Sequence, residues 1–374
     1  MGSDVLIIGG GVIGLAIARE LSARGERSVT VVDRGLFGGE ASWAAAGMLA
    51  PNIEAGGSDI FHRFCTESLD LYPDLSEGLL AETAIDIELN RTGTICVGFN
   101  GAETDKLKKH LARGAAIMSG DEIRTLEPWL ADEIAGGVFF PNDWQVDNRG
   151  LVAALGKSVE SSGIRMLEQT PVIELLIDGD RVTGAVTAAG RLEAEVTVLA
   201  TGAWTSLIKT GGFEMPFSVR PIRGQMASFD TGERRLGHVV FSASGYLVPR
   251  ADGRLLIGAT VEDVGFENVT TDDAIESLRQ AAVEMMPKLA GVAVADRWSG
   301  LRPFANDGLP VLGAIPGISN LIVATGHYRN GILLAPRTAQ IVADKIVAGA
   351  DSEFFDSFGA ERFGLPNATA TANF

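Results

Sequence analysis

The sequence predicts a two-domain protein of the α/β class, whose second domain is α+β and contains an antiparallel sheet. The 374 residues exceed the size at which one hydrophobic core usually stops growing. The chain opens with a strand, a glycine turn, a helix and a second strand, and glycine-rich segments of this type return at 150–215 and near the end. Stretches typical of antiparallel sheet lie between them. This alternation indicates that the second domain is inserted twice into the first.

The same alternation sets the predicted domain boundaries. The first domain takes residues 1–85, 145–220 and 305–365, the second takes 86–144 and 221–304, and residues 366–374 form a flexible tail. Hydrophobic periodicity and turn residues then predict the individual elements. Strands are expected at 4–8, 28–33 and 89–98 and across 171–200 and 225–260. Helices are expected over 12–24, 105–113, 151–162, 272–286 and 331–347.

Composition excludes some classes of binding partner and indicates the cellular compartment. The net charge of -17 argues against nucleic acid or an anionic membrane as a partner. No stretch reaches the roughly 18 uninterrupted apolar residues of a membrane span. Cys65 and Cys96 are far apart, so neither a disulfide framework nor a zinc site is expected. We therefore expect a cytoplasmic protein without stable membrane association and without a bound metal.

The opening segment has the pattern of a Rossmann-like dinucleotide-binding unit. Gly9, Gly11 and Gly14 form G-x-G-x-x-G directly between a strand and a helix. They permit a tight turn, close approach of backbone to a pyrophosphate, and close packing of helix on strand. Asp33 ends the second strand, where a carboxylate can bind ribose hydroxyls. The predicted nucleotide site here comprises Gly9, Gly11, Val12, Ile13, Gly14, Asp33 and Arg34.

Two later segments favour FAD over NAD as the dinucleotide. Val196–Trp204 is a buried-type strand that ends in a small-residue turn, although an ordinary core strand would have the same pattern. Residues 324–333 form a second strand followed by a glycine-flanked helix start, and a helix N-terminus can stabilise negative charge on a reduced flavin. The residues assigned to the cofactor here are Thr201, Gly202, Trp204, His327, Arg329, Asn330, Gly331, Ile332 and Leu333.

Six motifs together resemble the D-amino acid oxidase family of FAD-dependent oxidoreductases. They are VLIIGGGVIGLAIARELSARG with Asp33, SWAAAGML, VLATGAW, GYLVPR, GLRP and GHYRNGILLAP, and they extend from residue 5 to 336. SWAAAGML and GHYRNGILLAP are more similar to the branch that oxidises glycine than to the branch that oxidises sarcosine. That second branch ties its flavin to a cysteine near the C-terminus, and this sequence has no cysteine after Cys96.

The resemblance implies a set of expectations about cofactor, substrate and assembly. FAD should be bound non-covalently between the two domains, with Ser42, Ala46, Gly47, Met48, Leu49 and Val172 added to its site. Met48 and Leu49 could equally be ordinary core. The substrate should be glycine or another small amine, and oxygen should be the electron acceptor. A role in thiazole synthesis for thiamine and a homotetrameric assembly are also implied.

The resemblance also implies three substrate-binding residues. Arg302 resembles the family's carboxylate-binding arginine, because a planar guanidinium binds a carboxylate bidentately. Tyr246 resembles a tyrosine that holds the substrate, and Arg329 could bond substrate or flavin. The alternatives are a surface ion pair for Arg302, a core position for Tyr246 and a structural role for Arg329. His327 could act as a base or be a packed neutral residue, so we assign no acid–base residue.

Competing functions remain open at this stage. The leading one is oxidation of glycine to glyoxylate, ammonia and hydrogen peroxide. The alternatives are an oxidase of D-amino or N-methyl amino acids such as sarcosine, a dehydrogenase that passes electrons to a quinone, and a flavin- or nucleotide-binding protein without catalysis.

Overall fold

The structure is a computed structural model that describes residues 3–26, 28–54 and 58–364; the predicted tail at 366–374 lies outside these residues. The strands in the described ranges are β1 (Ser3–Ile8), β2 (Val29–Val32), β3 (Met48–Leu49), β4 (Thr94–Gly98), β5 (Ala116–Ser119), β6 (Gly136–Phe140), β7 (Trp144–Gln145), β8 (Arg165–Leu167), β9 (Val172–Asp178), β10 (Arg181–Thr187), β11 (Gly190–Leu199), β12 (Val219–Asp230), β13 (Val239–Ser242), β14 (Gly245–Pro249), β15 (Arg254–Gly258), β16 (Val294–Ala305), β17 (Val311–Ile315) and β18 (Ile318–Thr325). The α-helices are α1 (Val12–Ala23), α2 (Ala41–Ala44), α3 (Pro51–Glu54), α4 (Asp59–Asp70), α5 (Tyr72–Thr83), α6 (Gly101–Leu107), α7 (Gly120–Leu126), α8 (Asn148–Ser161), α9 (Asp272–Met285), α10 (Gly331–Ala348) and α11 (Glu353–Phe358).

The first sheet is centred on the N-terminal strand. Its order is β17-β18-β11-β1-β2-β8, with β9 and β10 attached beside β11. The pairs of β1 with β11 and β2, β11 with β18, and β2 with β8 are parallel. Val5 and Ile7 of β1 pack into the core formed with α1 and α10, while Leu6 and Ile8 pack into a second core on the opposite face. The strand is apolar and buried from Val5 to Ile8 because both faces of the sheet are covered there.

The second sheet has the order β16-β12-β15-β14-β13-β4-β6-β5. All its pairs are antiparallel except that between β13 and β4. Helix α9 covers it through Ile275, Leu278 and Met285, which fall on one face at helical spacing. A short antiparallel pair, β3 with β7, lies apart from both sheets.

The predicted fold class is confirmed: one sheet is parallel at its centre and the other is antiparallel, and their strands alternate along the chain. The domain boundaries stay a prediction. The strand expected at 89–98 begins only at Thr94, and the helix expected over 105–113 is α6 followed by a 3-10 turn over Lys108–Arg113. Helices α4 and α5 were not predicted. No helix in the described ranges is long and apolar enough to cross a membrane.

Candidate active site

A single cavity of about 1030 Å³ lies between the first sheet and the second. Its walls include the glycine turn after β1, the segment around α2 and β3, the turn after β11, strands of the second sheet, and the N-terminus of α10. Every residue predicted for the cofactor or substrate lines this cavity except Gly14, Leu49 and Leu333. The topology therefore brings together segments that extend from Ile8 to Ile332 in the sequence.

The glycine turn has no room for side chains at two of its three glycines. A Cβ on Gly9 would lie 2.2 Å from the carbonyl oxygen of Ala200, and Gly9 has a φ of +112°. A Cβ on Gly14 would lie 1.9 Å from the carbonyl oxygen of Gly9, so Gly14 packs helix α1 against the turn. A Cβ on Gly11 would meet only the Ser42 hydroxyl, at 3.3 Å. Gly11 is thus the glycine whose missing side chain leaves space facing the cavity.

Asp33 and Ser42 hold this turn in place. Asp33 Oδ2 accepts from the Gly10 N–H at 2.7 Å and Oδ1 accepts from the Gly35 N–H at 2.7 Å. Ser42 Oγ accepts from the Val12 N–H at 3.0 Å and so satisfies one free donor at the start of α1. The neighbouring Arg34 guanidinium lies 4.6 Å over the Trp204 ring, which brings two predicted cofactor residues together at the cavity wall.

The segment before β3 is anchored by a buried arginine. Arg250, only 4% exposed, donates to the Ala46 carbonyl at 2.8 Å, to Asn148 Oδ1 at 3.0 Å and to Gln145 Oε1 at 3.3 Å. Burial lowers the pKa of Arg250 to about 10. Its three bonds tie the cavity segment 46–48 to β7 and α8, which fixes the wall that Ala46 and Met48 form.

Replacing Arg250 with methionine is expected to lower the free energy of unfolding by about 3 kcal/mol, because three buried acceptors lose their charged donor. The measurement is chemical or thermal unfolding of the purified variant. Arg254→Met is the matched control: Arg254 begins β15, and its partly exposed side chain pairs with Asp252 at 2.6 Å, where such pairs contribute about 0–1 kcal/mol. Equal losses in the two variants would contradict the anchoring role.

The N-terminus of α10 forms a further part of the cavity wall. Asn330 is its N-cap and makes no side-chain cap bond, and Asn330, Gly331 and Ile332 line the cavity. The turn before it is bonded to β16, because the Tyr328 N–H donates to the Pro303 carbonyl at 3.0 Å. This bond brings the GHYRNG and GLRP motifs side by side.

Arg302 and Tyr246 lie together at this end of the cavity. Arg302 Nη1 donates to the carbonyls of Thr260 at 3.0 Å and Arg223 at 3.4 Å, and no ion pair joins Arg302 to a carboxylate within residues 3–26, 28–54 and 58–364. The guanidinium packs over Gly224, where a Cβ would lie 2.2 Å from Nη2. Burial raises the pKa of Tyr246, and the positive charge of Arg302 beside it acts in the opposite direction. Arg302 is therefore a cavity cation and not a surface ion-pair residue.

His327 and Arg329 have contacts that the sequence did not indicate. His327 is 3% exposed, its Nε2 lies 3.2 Å from Thr338 Oγ1, and burial lowers the pKa of its imidazole to about 3. It is a packed, neutral residue near neutral pH. Arg329 Nη2 donates to Glu54 Oε1 at 2.7 Å, and both residues line the cavity. Burial acts to lower the pKa of Arg329, but Glu54, Tyr246 and Tyr328 together outweigh it and the pKa is raised.

Leu49 and Leu333 lie behind the cavity wall, in the core around α1 and α10. Successive side chains of a strand point to opposite faces, so Met48 faces the cavity while Leu49 is buried. In α10, Gly331 and Ile332 line the cavity, whereas the next residue, Leu333, is buried in the core. Further cavity residues were not predicted from the sequence, among them Glu54, Gly224, Met226 and Phe241.

The geometry fits a dinucleotide whose reactive end lies near a carboxylate-binding arginine. The glycine turn, the N-terminus of α1 and Asp33 form one side of the cavity, with the close backbone approach and free N–H groups that suit a pyrophosphate. Arg302 and Tyr246 form the opposite side. Fold and cavity together have the arrangement of a dinucleotide-dependent oxidoreductase.

Comparison with known proteins identifies the family. The family model of FAD-dependent oxidoreductases matches residues 4–345, and the chain belongs to this family. Glycine oxidase from Pseudomonas aeruginosa is 38% identical over 92% of this chain and 94% of its own length. The bifunctional protein ThiO/ThiG of Trichormus variabilis is 38% identical over 100% of this chain and 58% of its own length. The crystal structure of glycine oxidase from Geobacillus kaustophilus superposes with a TM-score of 0.88 at 35% identity, covering 98% of this chain and 99% of that chain.

Proposed function

We propose that this chain uses FAD to oxidise glycine and similar small amines: glycine, water and oxygen give glyoxylate, ammonia and hydrogen peroxide. The observation that carries the proposal is the position of Arg302, a cavity cation beside the Tyr246 hydroxyl, at the end of the cavity opposite the glycine turn. The similarity to glycine oxidases of two genera supports the choice of substrate. When bound, FAD supplies the two-electron acceptor that the protein's own side chains lack.

The residues of the proposed site divide into those that hold FAD and those that bind the substrate. Glycines 9, 11 and 14 with Asp33, Arg34 and Ser42 hold the nucleotide part of FAD, and the segment 46–48, Val172, the turn 201–204 and the start of α10 complete its walls. Arg302 binds the substrate carboxylate and Tyr246 donates a hydrogen bond to it. Binding in this orientation converts an encounter between two molecules into a step within one complex. His327 is neutral and buried, so we assign it to packing and not to proton transfer.

Both cysteines support non-covalent binding of FAD. Cys65 and Cys96 are buried outside the cavity lining, and burial raises the pKa of each thiol, which disfavours the reactive thiolate. Denaturation of the purified protein in acid should release all of its flavin into the supernatant. Flavin that stays with the precipitated protein would contradict this assignment.

The proposal also covers the biosynthetic role, the compartment and the assembly of the protein. A role in forming the thiazole of thiamine is supported by the relatives named ThiO/ThiG, of which this chain spans a little more than half. We propose a cytoplasmic homotetramer on the family resemblance, and light scattering of the purified protein tests the assembly. A monomeric mass would reject it.

The proposed reaction is tested by a peroxide assay with glycine, sarcosine and a panel of D-amino acids. Glycine or sarcosine should give peroxide and the matching 2-oxo acid in equal amounts. Peroxide formation with D-amino acids alone would transfer the assignment to a D-amino acid oxidase. Turnover that requires a quinone, with oxygen unable to replace it, would make the protein a dehydrogenase.

Replacing Tyr246 with phenylalanine is expected to lower kcat/KM for glycine by about 5- to 10-fold, the effect of losing one hydrogen bond. The loss should be modest because Arg302 keeps its charge, and the hydroxyl's other protein partner is the thioether sulfur of Met226 at 3.5 Å, which tolerates the change. Steady-state kinetics provide the measurement, with FAD content and the thermal midpoint as controls for folding. A kcat/KM equal to that of the parent would exclude direct contact between Tyr246 and substrate.

A further inference from the structure

Glu54 places a negative charge in the cavity wall that the substrate chemistry does not require. Its side chain is 7% exposed, compared with 40% for its partner Arg329, and Oε1 lies 2.7 Å from Arg329 Nη2. Most ion pairs of this protein lie on the surface, whereas this one lines the same cavity as Arg302 and Tyr246. A charged pair in that position changes what the cavity can bind.

The pair leaves the cavity with one uncompensated cation at the substrate end. Arg329 is neutralised by Glu54, while the contacts of Arg302 within the described part of the chain are the carbonyls of Thr260 and Arg223 and the Tyr246 hydroxyl. Arg302, Tyr246, Glu54 and Arg329 line the same cavity, and the charges of Arg302, Glu54 and Arg329 all act on the Tyr246 hydroxyl. The guanidinium of Arg302 is therefore available to bind one carboxylate of a substrate.

Glu54 is held in this position by the protein and is not a mobile surface side chain. It ends α3, and the buried Asp143 carboxylate accepts from the Asn52 N–H at 3.1 Å, from Asn52 Nδ2 at 2.7 Å and from the Ile53 N–H at 3.1 Å. Asn52 Oδ1 also forms a hydrogen bond with His62 Nε2, at 3.0 Å. These bonds fix the backbone immediately before Glu54, and Arg329 fixes its carboxylate.

We propose that Glu54 is a specificity-determining residue that restricts the site to substrates with a single carboxylate. A second anionic group on the substrate would meet the Glu54 carboxylate, and Arg329, the cation beside Glu54 in the cavity wall, would already be paired. Discrimination of this kind depends on a repulsive element as well as an attractive one. The inference rests on the proposed function, because it assumes that Arg302 binds the first carboxylate.

The test compares two substrates that differ by one carboxylate, sarcosine and iminodiacetate. We expect the ratio of kcat/KM for iminodiacetate to that for sarcosine to rise at least 10-fold in Glu54→Gln holoenzyme, because Arg329 becomes an unpaired cation. Glu54→Asp keeps the charge and should keep a ratio close to that of the parent. Glu276→Gln, which removes a surface pair with Arg279 at 2.8 Å, is the matched control and should leave the ratio unchanged.

A binding measurement supplies a readout that does not depend on turnover. Acetate and malonate are titrated into each holoenzyme, and their dissociation constants are read from the shift of the flavin spectrum. Glu54→Gln should strengthen malonate binding relative to acetate by at least 10-fold. Unchanged ratios in both experiments, with FAD retained, would overturn the role of Glu54 alone. Failure of the parent enzyme to oxidise glycine or sarcosine and to bind acetate would overturn the proposed function and this inference with it.

Discussion

The variant Arg302→Ala is expected to lose at least 100-fold in kcat/KM for glycine while it binds FAD like the parent. The loss corresponds to about 2.7 kcal/mol, within the range for removing the charged partner of a carboxylate in a partly desolvated site. Folding should be little affected, because the guanidinium's partners within the described residues are two backbone carbonyls and the Tyr246 hydroxyl, and its removal leaves space over Gly224. Steady-state kinetics and the flavin-to-protein ratio together measure the effect.

Two further variants test whether the loss depends on the planar guanidinium at this position. Arg302→Lys keeps the charge but lacks the planar fork, so its kcat/KM should fall between those of the parent and the alanine variant. Arg220→Ala removes an exposed arginine of β12 that packs over Phe304 and pairs with Asp263, and it should behave like the parent. Equal kinetics for Arg302→Ala and the parent would remove the basis for carboxylate binding at this position.

The variant Gly11→Val is expected to fold and to be isolated without FAD. Gly11 has a φ of -75°, which any residue adopts, and a Cβ there would meet only the Ser42 hydroxyl at 3.3 Å. The branched side chain would instead fill the space in which the pyrophosphate must approach the backbone. The flavin-to-protein ratio after denaturation measures the loss, and circular dichroism reports whether the chain is folded.

The neighbouring glycines show why Gly11 is the informative choice. At Gly9 an added Cβ would lie 2.2 Å from the Ala200 carbonyl oxygen, so a substitution there would disturb folding itself. Gly156→Val is the matched control, because Gly156 lies in α8 and an added Cβ meets no atom of the described structure within 4 Å. A Gly11→Val protein that carries one FAD per chain would place the cofactor elsewhere.

Much of the nucleotide side of the site could be predicted because its residues are close in sequence. Strand β1, the turn, helix α1 and Asp33 form one continuous segment, and the periodicity and glycine spacing of that segment determine its structure. The strand-rich hairpin at 171–200 and helix α9 were predictable for the same reason, since turn residues and apolar spacing are local signals.

The substrate side depends on contacts between distant segments, and there the sequence alone was insufficient. Glu54 reaches Arg329 only because α3 and the start of α10 meet across the cavity, and no local pattern marks that pair. Gly224 and Gly300 are paired across β12 and β16, where one accommodates the Arg302 guanidinium and the other the Ala44 side chain. Helices α4 and α5 were missed, although Ser58 caps α4 and Phe61, Phe64, Cys65 and Leu69 have helical spacing.

The central claim is that Arg302 holds a small amino acid by its carboxylate where bound FAD can oxidise it. Anaerobic addition of glycine to the yellow holoenzyme, followed by its visible absorbance, tests this most directly. We expect rapid bleaching in the parent and little or none in Arg302→Ala at the same glycine concentration. A parent spectrum that stays oxidised in saturating glycine and sarcosine, or bleaching at equal rates in both proteins, would contradict it.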